Sequence, residues 1–160
     1  MKNKIIPVFL VIAFANVLYF VVFNHKRLPL DKTVLYEEQN QIVSLEEYQH
    51  TVRIISFFQT WCGDCRREMV DLKQLQQRFN GRLKIIMITD EPFELINEMK
   101  MYLNVDFIFL RSDKKLKEMR IHQYPTTFLL DKKGKVILVK KEGKDWYSDK
   151  MIKTIEPLLR

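Results

Sequence analysis

The chain has 160 residues and a formal net charge of +7, with 47% hydrophobic and 29% charged residues. This length and composition indicate one globular domain with an accessory segment and exclude long low-complexity tracts. Four basic residues, Lys2, Lys4, Lys26 and Arg27, flank one apolar segment, and without residues 1–27 the net charge falls to +3. The remaining charges are interspersed, so we expect no nucleic-acid partner.

The first predicted element is an apolar segment, Ile5–Phe23, which contains no charged residue. Its length suffices for a helix to cross a bilayer, so residues 1–27 are predicted to be a membrane anchor. A cleaved signal peptide is the alternative, because Ala13-Phe14-Ala15 resembles a cleavage site, but cleavage there would leave an apolar new terminus. The basic residues on the two sides are nearly balanced and do not decide the orientation.

Residues 28–41 are predicted to be a tether, and residues 42–160 a domain in which strands and helices alternate. Within it, Ser44 and Glu47 form a capping-box pattern that predicts a short helix. Strands are predicted at Thr51–Phe58, Arg82–Asp90, Val105–Arg111, Thr126–Asp131 and Lys135–Lys141, and further helices at Cys62–Phe79, Glu91–Asn104, Lys114–Arg120 and Ser148–Arg160. This order predicts an α/β fold with a mixed central sheet flanked by helices.

The only two cysteines of the chain, Cys62 and Cys65, stand where a predicted buried strand ends and a helix begins. Free N–H groups and the positive dipole end at a helix N-terminus stabilise a thiolate, which lowers the pKa of a thiol placed there. We therefore expect Cys62 to be the exposed attacking thiol. Cys65, one turn further along the helix, is expected to resolve the mixed disulfide.

Two other uses of a cysteine pair agree less well with the sequence. A zinc site needs about four ligands, and the three histidines, His25, His50 and His122, are scattered along the chain. We therefore predict no metal site. A purely structural disulfide that closes so short a loop removes little chain entropy and would stabilise the fold little. A redox-active pair is the favoured interpretation.

Two motifs together resemble the thioredoxin superfamily: W-C-G-D-C at Trp61–Cys65, and Y-P-T-T-F-L-L-D-K-K-G-K-V-I beginning at Tyr124. The resemblance implies a thioredoxin-like fold in which Pro125 is a cis-proline facing the disulfide. It also implies that the backbone of Tyr124 pairs with a bound substrate strand, while Trp61 is expected to shield the cysteine pair. The extra length between Asp90 and Val105, together with the N-terminal anchor, resembles the TlpA/ResA-like thiol-disulfide oxidoreductases.

That branch tends to carry a glutamate three residues after the second cysteine, and Glu68 matches it. Positions three apart share a helix face, so a partly buried Glu68 could exchange a proton with Cys65 during disulfide exchange. Asp64 departs from the proline often found before the second cysteine, and a carboxylate there opposes ionisation of a nearby thiol. Ser56 stands where thioredoxin has a buried acid, which leaves Glu68 as the candidate proton acceptor.

The resemblance implies a thiol-disulfide oxidoreductase tethered to the bacterial cell envelope, with its domain outside the cytoplasm. We expect it to reduce disulfides of extracytoplasmic proteins without a cofactor and to be re-reduced by a membrane thiol electron donor. The alternatives are a thioredoxin-like copper chaperone, since two thiolates can bind Cu(I), and an oxidant that forms disulfides. A peroxidase of the peroxiredoxin type fails on spacing, because Thr60 stands two rather than three residues before Cys62.

Overall fold

The computed structural model describes residues 27–141 and 145–160, together with the isolated Ala13. The predicted membrane anchor, Ile5–Phe23, therefore lies outside the described residues, apart from Ala13. Among the residues that the structure does describe, none of the helices combines the length and the apolar composition that a membrane crossing requires.

Seven strands of the described chain form one mixed sheet in the order β2-β1-β5-β4-β3-β6-β7. The strands β3, β4 and β5 are parallel neighbours, and the other four join the sheet antiparallel, which confirms the predicted mixed sheet. The run Val52–Phe57 is buried throughout, as expected for a central strand covered on both faces. The bounds of the seven strands are β1 Leu35–Tyr36, β2 Ile42–Val43, β3 Val52–Phe57, β4 Leu83–Thr89, β5 Ile108–Ser112, β6 Thr126–Leu130 and β7 Val136–Lys141.

Three α-helices of the described chain pack on one face of this sheet. They are α1 (Gly63–Arg78), α2 (Phe93–Leu103) and α3 (Asp149–Ile155), and 3₁₀ helices span Leu45–Tyr48 and Glu156–Leu159. Apolar residues of all three α-helices join a single core cluster with residues of the sheet. The capping box formed by Ser44 and Glu47 is present at the first 3₁₀ helix, which confirms the short helix predicted there.

The helix predicted at Lys114–Arg120 is wrong. This segment forms turns instead, and it contributes Leu116 and Met119 to a second core cluster that contains no residue of the three α-helices. Arg120 has a φ of 61°, in the left-handed region, so a right-handed helix cannot continue through it. The backbone N–H groups of Glu118, Met119 and Arg120 donate to carbonyl groups three residues earlier, as in successive turns.

Part of the predicted tether, residues 28–41, belongs to the folded domain. Leu35 is 4% exposed and pairs with Ser112 of β5, and Leu28 and Leu30 pack against the second core cluster. These leucines pack against one face of the sheet, and this contact buries apolar surface that water would otherwise cover. The ordered sheet therefore begins before residue 42.

Candidate active site

The two cysteines lie at the junction of β3 and α1, joined in a disulfide with their Cα atoms 5.3 Å apart. Cys62 is the N-cap residue of α1, and the backbone N–H of Cys65 donates to its Sγ at 3.2 Å. Cys62 is 8% exposed, whereas Cys65 has no exposed surface. Cys62 is therefore the more accessible of the two cysteines, with only a small part of its surface open to solvent.

The loop that leads into β6 faces this disulfide. The Tyr124–Pro125 peptide bond is cis, in agreement with the sequence motif. The carbonyl oxygen of Tyr124 lies 3.5 Å from Cys62 Sγ. Trp61 is 67% exposed and meets the ring of Tyr124 edge-on, with the ring centroids 6.0 Å apart. The structure thus brings Trp61, Tyr124 and Pro125 together around the accessible cysteine.

Glu68 lies inside the core, one helical turn after Cys65, and is 2% exposed. Its Oε1 accepts hydrogen bonds from the hydroxyl groups of Ser56 at 2.8 Å and Thr127 at 2.7 Å. Its Oε2 accepts a hydrogen bond from Nε1–H of Trp146 at 2.8 Å. These three donors, rather than a cysteine sulfur, hold the carboxyl group while the disulfide is closed.

Burial raises the pKa of the Glu68 carboxyl above its ordinary value, because the charged form loses its hydration. The hydrogen bonds from Thr127, Ser56 and Trp146, and the positive charge of Lys140, oppose part of that rise. Lys140 Nζ lies 4.7 Å from the centroid of the Trp146 ring. The group can therefore exchange a proton closer to neutral pH than an exposed glutamate can.

A second polar cluster fixes the loop that leads to Cys62. The backbone N–H of Thr60 donates to Glu91 Oε2 at 2.5 Å, and its hydroxyl group donates to Oε1 at 2.9 Å. Gln59 Nε2 donates to Asp90 Oδ1 at 2.6 Å. Because β3 and β4 are parallel neighbours, the residues that follow them meet at one edge of the sheet. The loop formed by residues 59–62, called the redox loop below, is held at that edge.

Asp64, which stands between the two cysteines, forms a salt bridge with Arg67 on the exposed first turn of α1. A carboxylate in the first turn of a helix is also favoured by the helix dipole. The positive guanidinium group offsets the negative charge that the sequence placed beside the cysteine pair. The departure from proline at this position therefore introduces an ion pair rather than a lone charge.

Three residues of the site are not indicated by any sequence pattern: Thr127, Trp146 and Glu91. Trp146 meets Glu68 across 78 positions of the chain, and no local pattern reports such a contact. The one available signal was an isolated tryptophan in the otherwise polar stretch K-D-W-Y-S. Ser56, noted only as a replacement for a buried acid, is one of the donors to the carboxyl group.

A model of the AhpC/TSA family matches residues 27–139. The chain belongs to the AhpC/TSA family. The "Thiol-disulfide oxidoreductase ResA" of Bacillus thuringiensis subsp. konkukian is 25% identical over 129 residues, which cover 78% of this chain and 75% of that protein. The "Thioredoxin-like protein YneN" of Bacillus subtilis is 25% identical over 96 residues, which cover 57% of this chain and 56% of that protein.

Solved structures show the same fold. A putative thiol:disulfide interchange protein DsbE from Chlorobium tepidum aligns with a TM-score of 0.68 at 19% identity, covering 79% of this chain and 92% of that one. StoA from Bacillus subtilis aligns with a TM-score of 0.56 at 16% identity, covering 79% and 95%. With its cysteine pair and these relatives, the chain is a thiol-disulfide oxidoreductase with a thioredoxin-like fold.

Replacing Trp146 with Phe tests what holds the Glu68 carboxyl group. The change removes the Nε1–H donor and keeps an aromatic ring in the core. Because a lost donor disfavours the carboxylate, we expect the pKa of Glu68 to rise further. The measurement is an NMR titration of ¹³C-labelled glutamate carboxyl groups, with Glu68→Gln to assign the signal.

The matched control for this titration is Trp61→Phe, which replaces the only other tryptophan of the chain. Trp61 is exposed, so its replacement should leave the pKa of Glu68 unchanged. The same pKa in the wild type and in both variants would show that Trp146 does not set the proton affinity of Glu68.

Proposed function

We propose that the chain is a membrane-tethered disulfide reductase whose domain faces the extracytoplasmic side of the bacterial envelope. The observation that carries this proposal is the cysteine pair, with Cys62 at the N-terminus of α1 and the buried Glu68 carboxyl one helical turn after Cys65. The ResA relatives support disulfide exchange as the chemistry. The apolar segment Ile5–Phe23 supports residues 1–27 as the anchor.

In the first step, the Cys62 thiolate of the reduced enzyme attacks one sulfur of a substrate disulfide. A bond forms between Cys62 and that sulfur, and the other substrate cysteine leaves as a thiolate. The N-terminus of α1 and the backbone N–H of Cys65 stabilise the Cys62 thiolate before it attacks. The backbone of Tyr124, beside Pro125, binds the substrate main chain, and Trp61 flanks the same face.

In the second step, Cys65 resolves the mixed disulfide. The thiol of Cys65 gives its proton to the Glu68 carboxylate, which shares the same face of α1. The Cys65 thiolate then attacks Cys62 Sγ, and the substrate cysteine leaves. The substrate has gained two electrons and, after proton uptake, two thiols, while the enzyme holds the Cys62–Cys65 disulfide. A membrane thiol donor returns two electrons to the enzyme.

Changing Cys65 to Ser should trap protein substrates as mixed disulfides on Cys62, because the resolving thiol is absent. Changing Cys62 to Ser should abolish the reduction of insulin disulfides and trap nothing. Acid quenching followed by non-reducing gel electrophoresis and mass spectrometry detects the adducts. Insulin reduction that persists in the Cys62→Ser variant would contradict this mechanism.

Changing Glu68 to Gln should slow the resolution step by about 10²-fold, because the proton acceptor is lost. In the wild type, the resolution rate should rise with pH through the raised pKa of Glu68, since the carboxylate form accepts the proton. Glu68→Gln should lose that rise, and the exposed control Glu118→Gln should keep it. Rapid-quench measurement of mixed-disulfide decay across pH gives both rates, and equal profiles would remove Glu68 from the mechanism.

A fusion of alkaline phosphatase after Arg160 tests the tether, since this enzyme is active only outside the cytoplasm. We expect an active fusion in the membrane fraction. Deletion of residues 1–27 should leave an inactive fusion in the cytoplasm. An active fusion released into the medium would mean that the segment is a cleaved signal peptide, and an inactive membrane-bound fusion would reverse the orientation.

A further inference from the structure

A groove of about 310 Å³ lies beside the redox loop, between the start of α1 and helix α2. Trp61 and Arg66 line its side toward the cysteine pair, and Leu95, Met99 and Tyr102 line its side toward α2. The hydrogen bonds to the Glu68 carboxyl group come from Ser56, Thr127 and Trp146 and from none of these α2 residues. The groove is therefore separate from the Glu68 cluster and adjoins the loop that precedes Cys62.

The α2 wall of the groove is an apolar stripe. Leu95, Met99 and Tyr102 stand at positions i, i+4 and i+7, which share one face of a helix. Met99 is 6% exposed and belongs to the core, whereas Leu95 is 40% and Tyr102 is 79% exposed. Across the groove, Trp61 is 67% exposed. Three exposed apolar side chains, Leu95, Tyr102 and Trp61, thus line one groove over the buried Met99.

The position of the groove identifies what binds there. Trp61 directly precedes Cys62, and Arg66 Nη2 donates to the Trp61 carbonyl oxygen at 3.4 Å, so this wall is formed by the redox loop and the first turn of α1. A thiol-disulfide oxidoreductase must bring the substrate disulfide to Cys62. Because an extended chain advances about 3.4 Å per residue, residues close to the substrate cysteine in sequence are also brought close to this wall.

The charged residues at the groove can form hydrogen bonds with a peptide main chain. Arg66 and Glu98 supply a hydrogen-bond donor and an acceptor of opposite charge beside the apolar centre. A peptide main chain carries both C=O and N–H groups that need such partners when its side chain is buried. An apolar centre within a polar rim is the usual composition of a protein-binding surface.

We propose that this groove binds an aliphatic or aromatic side chain of the disulfide-bearing polypeptide, two or three residues from the cysteine that Cys62 attacks. The proposal rests on the proposed function, because it assigns the groove to the substrate of that reaction. It makes Leu95 and Tyr102 specificity-determining residues, which select protein substrates by the residues that flank their cysteines.

The experiment compares cystine peptides that differ only in the flanking residue. Each peptide carries leucine, or serine in its place, at the second or third position on one side of the cysteine. The full-length protein in lipid nanodiscs is assayed for kcat/KM as the wild type, Tyr102→Ser and Met101→Ser. Met101 is the matched control, because it neighbours Tyr102 on α2, is 75% exposed and does not line the groove.

We expect the wild type to prefer one leucine peptide over its serine counterpart by about tenfold, the effect of partly burying one leucine side chain. Tyr102→Ser should remove most of that preference, and Met101→Ser should retain it. A wild type without a preference would overturn the proposal. Equal loss of preference in the two variants would also overturn it, because the effect would then not depend on the groove.

A binding measurement separates this proposal from the function on which it rests. The wild-type protein, labelled with 5-fluorotryptophan, carries two ¹⁹F reporters, Trp61 in the groove and Trp146 in the core. The leucine peptide, with serine in place of its cysteine, cannot react and should shift only the Trp61 signal. This shift would support the groove even if the protein failed to reduce the cystine peptides, a failure that would overturn the proposed function alone.

The same ¹⁹F spectrum excludes other occupants. A Trp61 signal that moves on deletion of residues 1–27, without peptide, would show that the chain's own N-terminal segment fills the groove. A Trp61 signal that changes with protein concentration would show that a second copy fills it. Either result, or a Trp61 signal that the peptide leaves unmoved, would overturn the proposal.

Discussion

The burial of one carboxyl group, that of Glu68, is the constraint on which both the site and the fold depend. A buried polar group without partners costs about 1–3 kcal/mol, and more when it is charged, so the fold must bring donors to it. They come from three separate elements: Ser56 in β3, Thr127 in β6 and Trp146 before α3. Because α1 carries Cys65 as well as Glu68, satisfying the carboxyl group also fixes the buried cysteine against the sheet.

The redox loop is also held from the side that precedes it. Glu91 accepts two hydrogen bonds from Thr60 at the edge where two parallel strands end. The start of α1 is thus fixed on both sides, by Glu91 before the cysteines and by Glu68 after them. The face that carries Trp61 is open to solvent. The chemistry therefore has a fixed support, and the groove proposed for recognition lies on this exposed face, where Thr60 belongs both to the groove and to the Glu91 cluster.

The parts of the fold that the sequence predicted correctly are those with local patterns. The buried strand β3 and the capping box each have a signature within a few residues, whereas the cis bond before Pro125 was implied by the resemblance to the thioredoxin superfamily. The two-residue strand β2 is too short for a pattern, and the segment Lys114–Arg120 forms turns in place of the predicted helix. In the site, the family resemblance pointed to Glu68, whereas no local pattern indicates the contact between Trp146 and Glu68.

The wide spacing of the Glu68 partners has a consequence for how the protein is synthesised. A ribosome releases the chain from its N-terminus, so Ser56 and Glu68 emerge well before Thr127 and Trp146. A nascent chain that ends before Trp146 would leave the Glu68 Oε2 atom without the donor it has in the complete fold. The hydrogen bonds to the Glu68 carboxyl group are therefore complete only after Trp146 has emerged from the ribosome. Translation products that stop before Trp146 should accordingly hold Glu68, and with it the buried cysteine, less firmly.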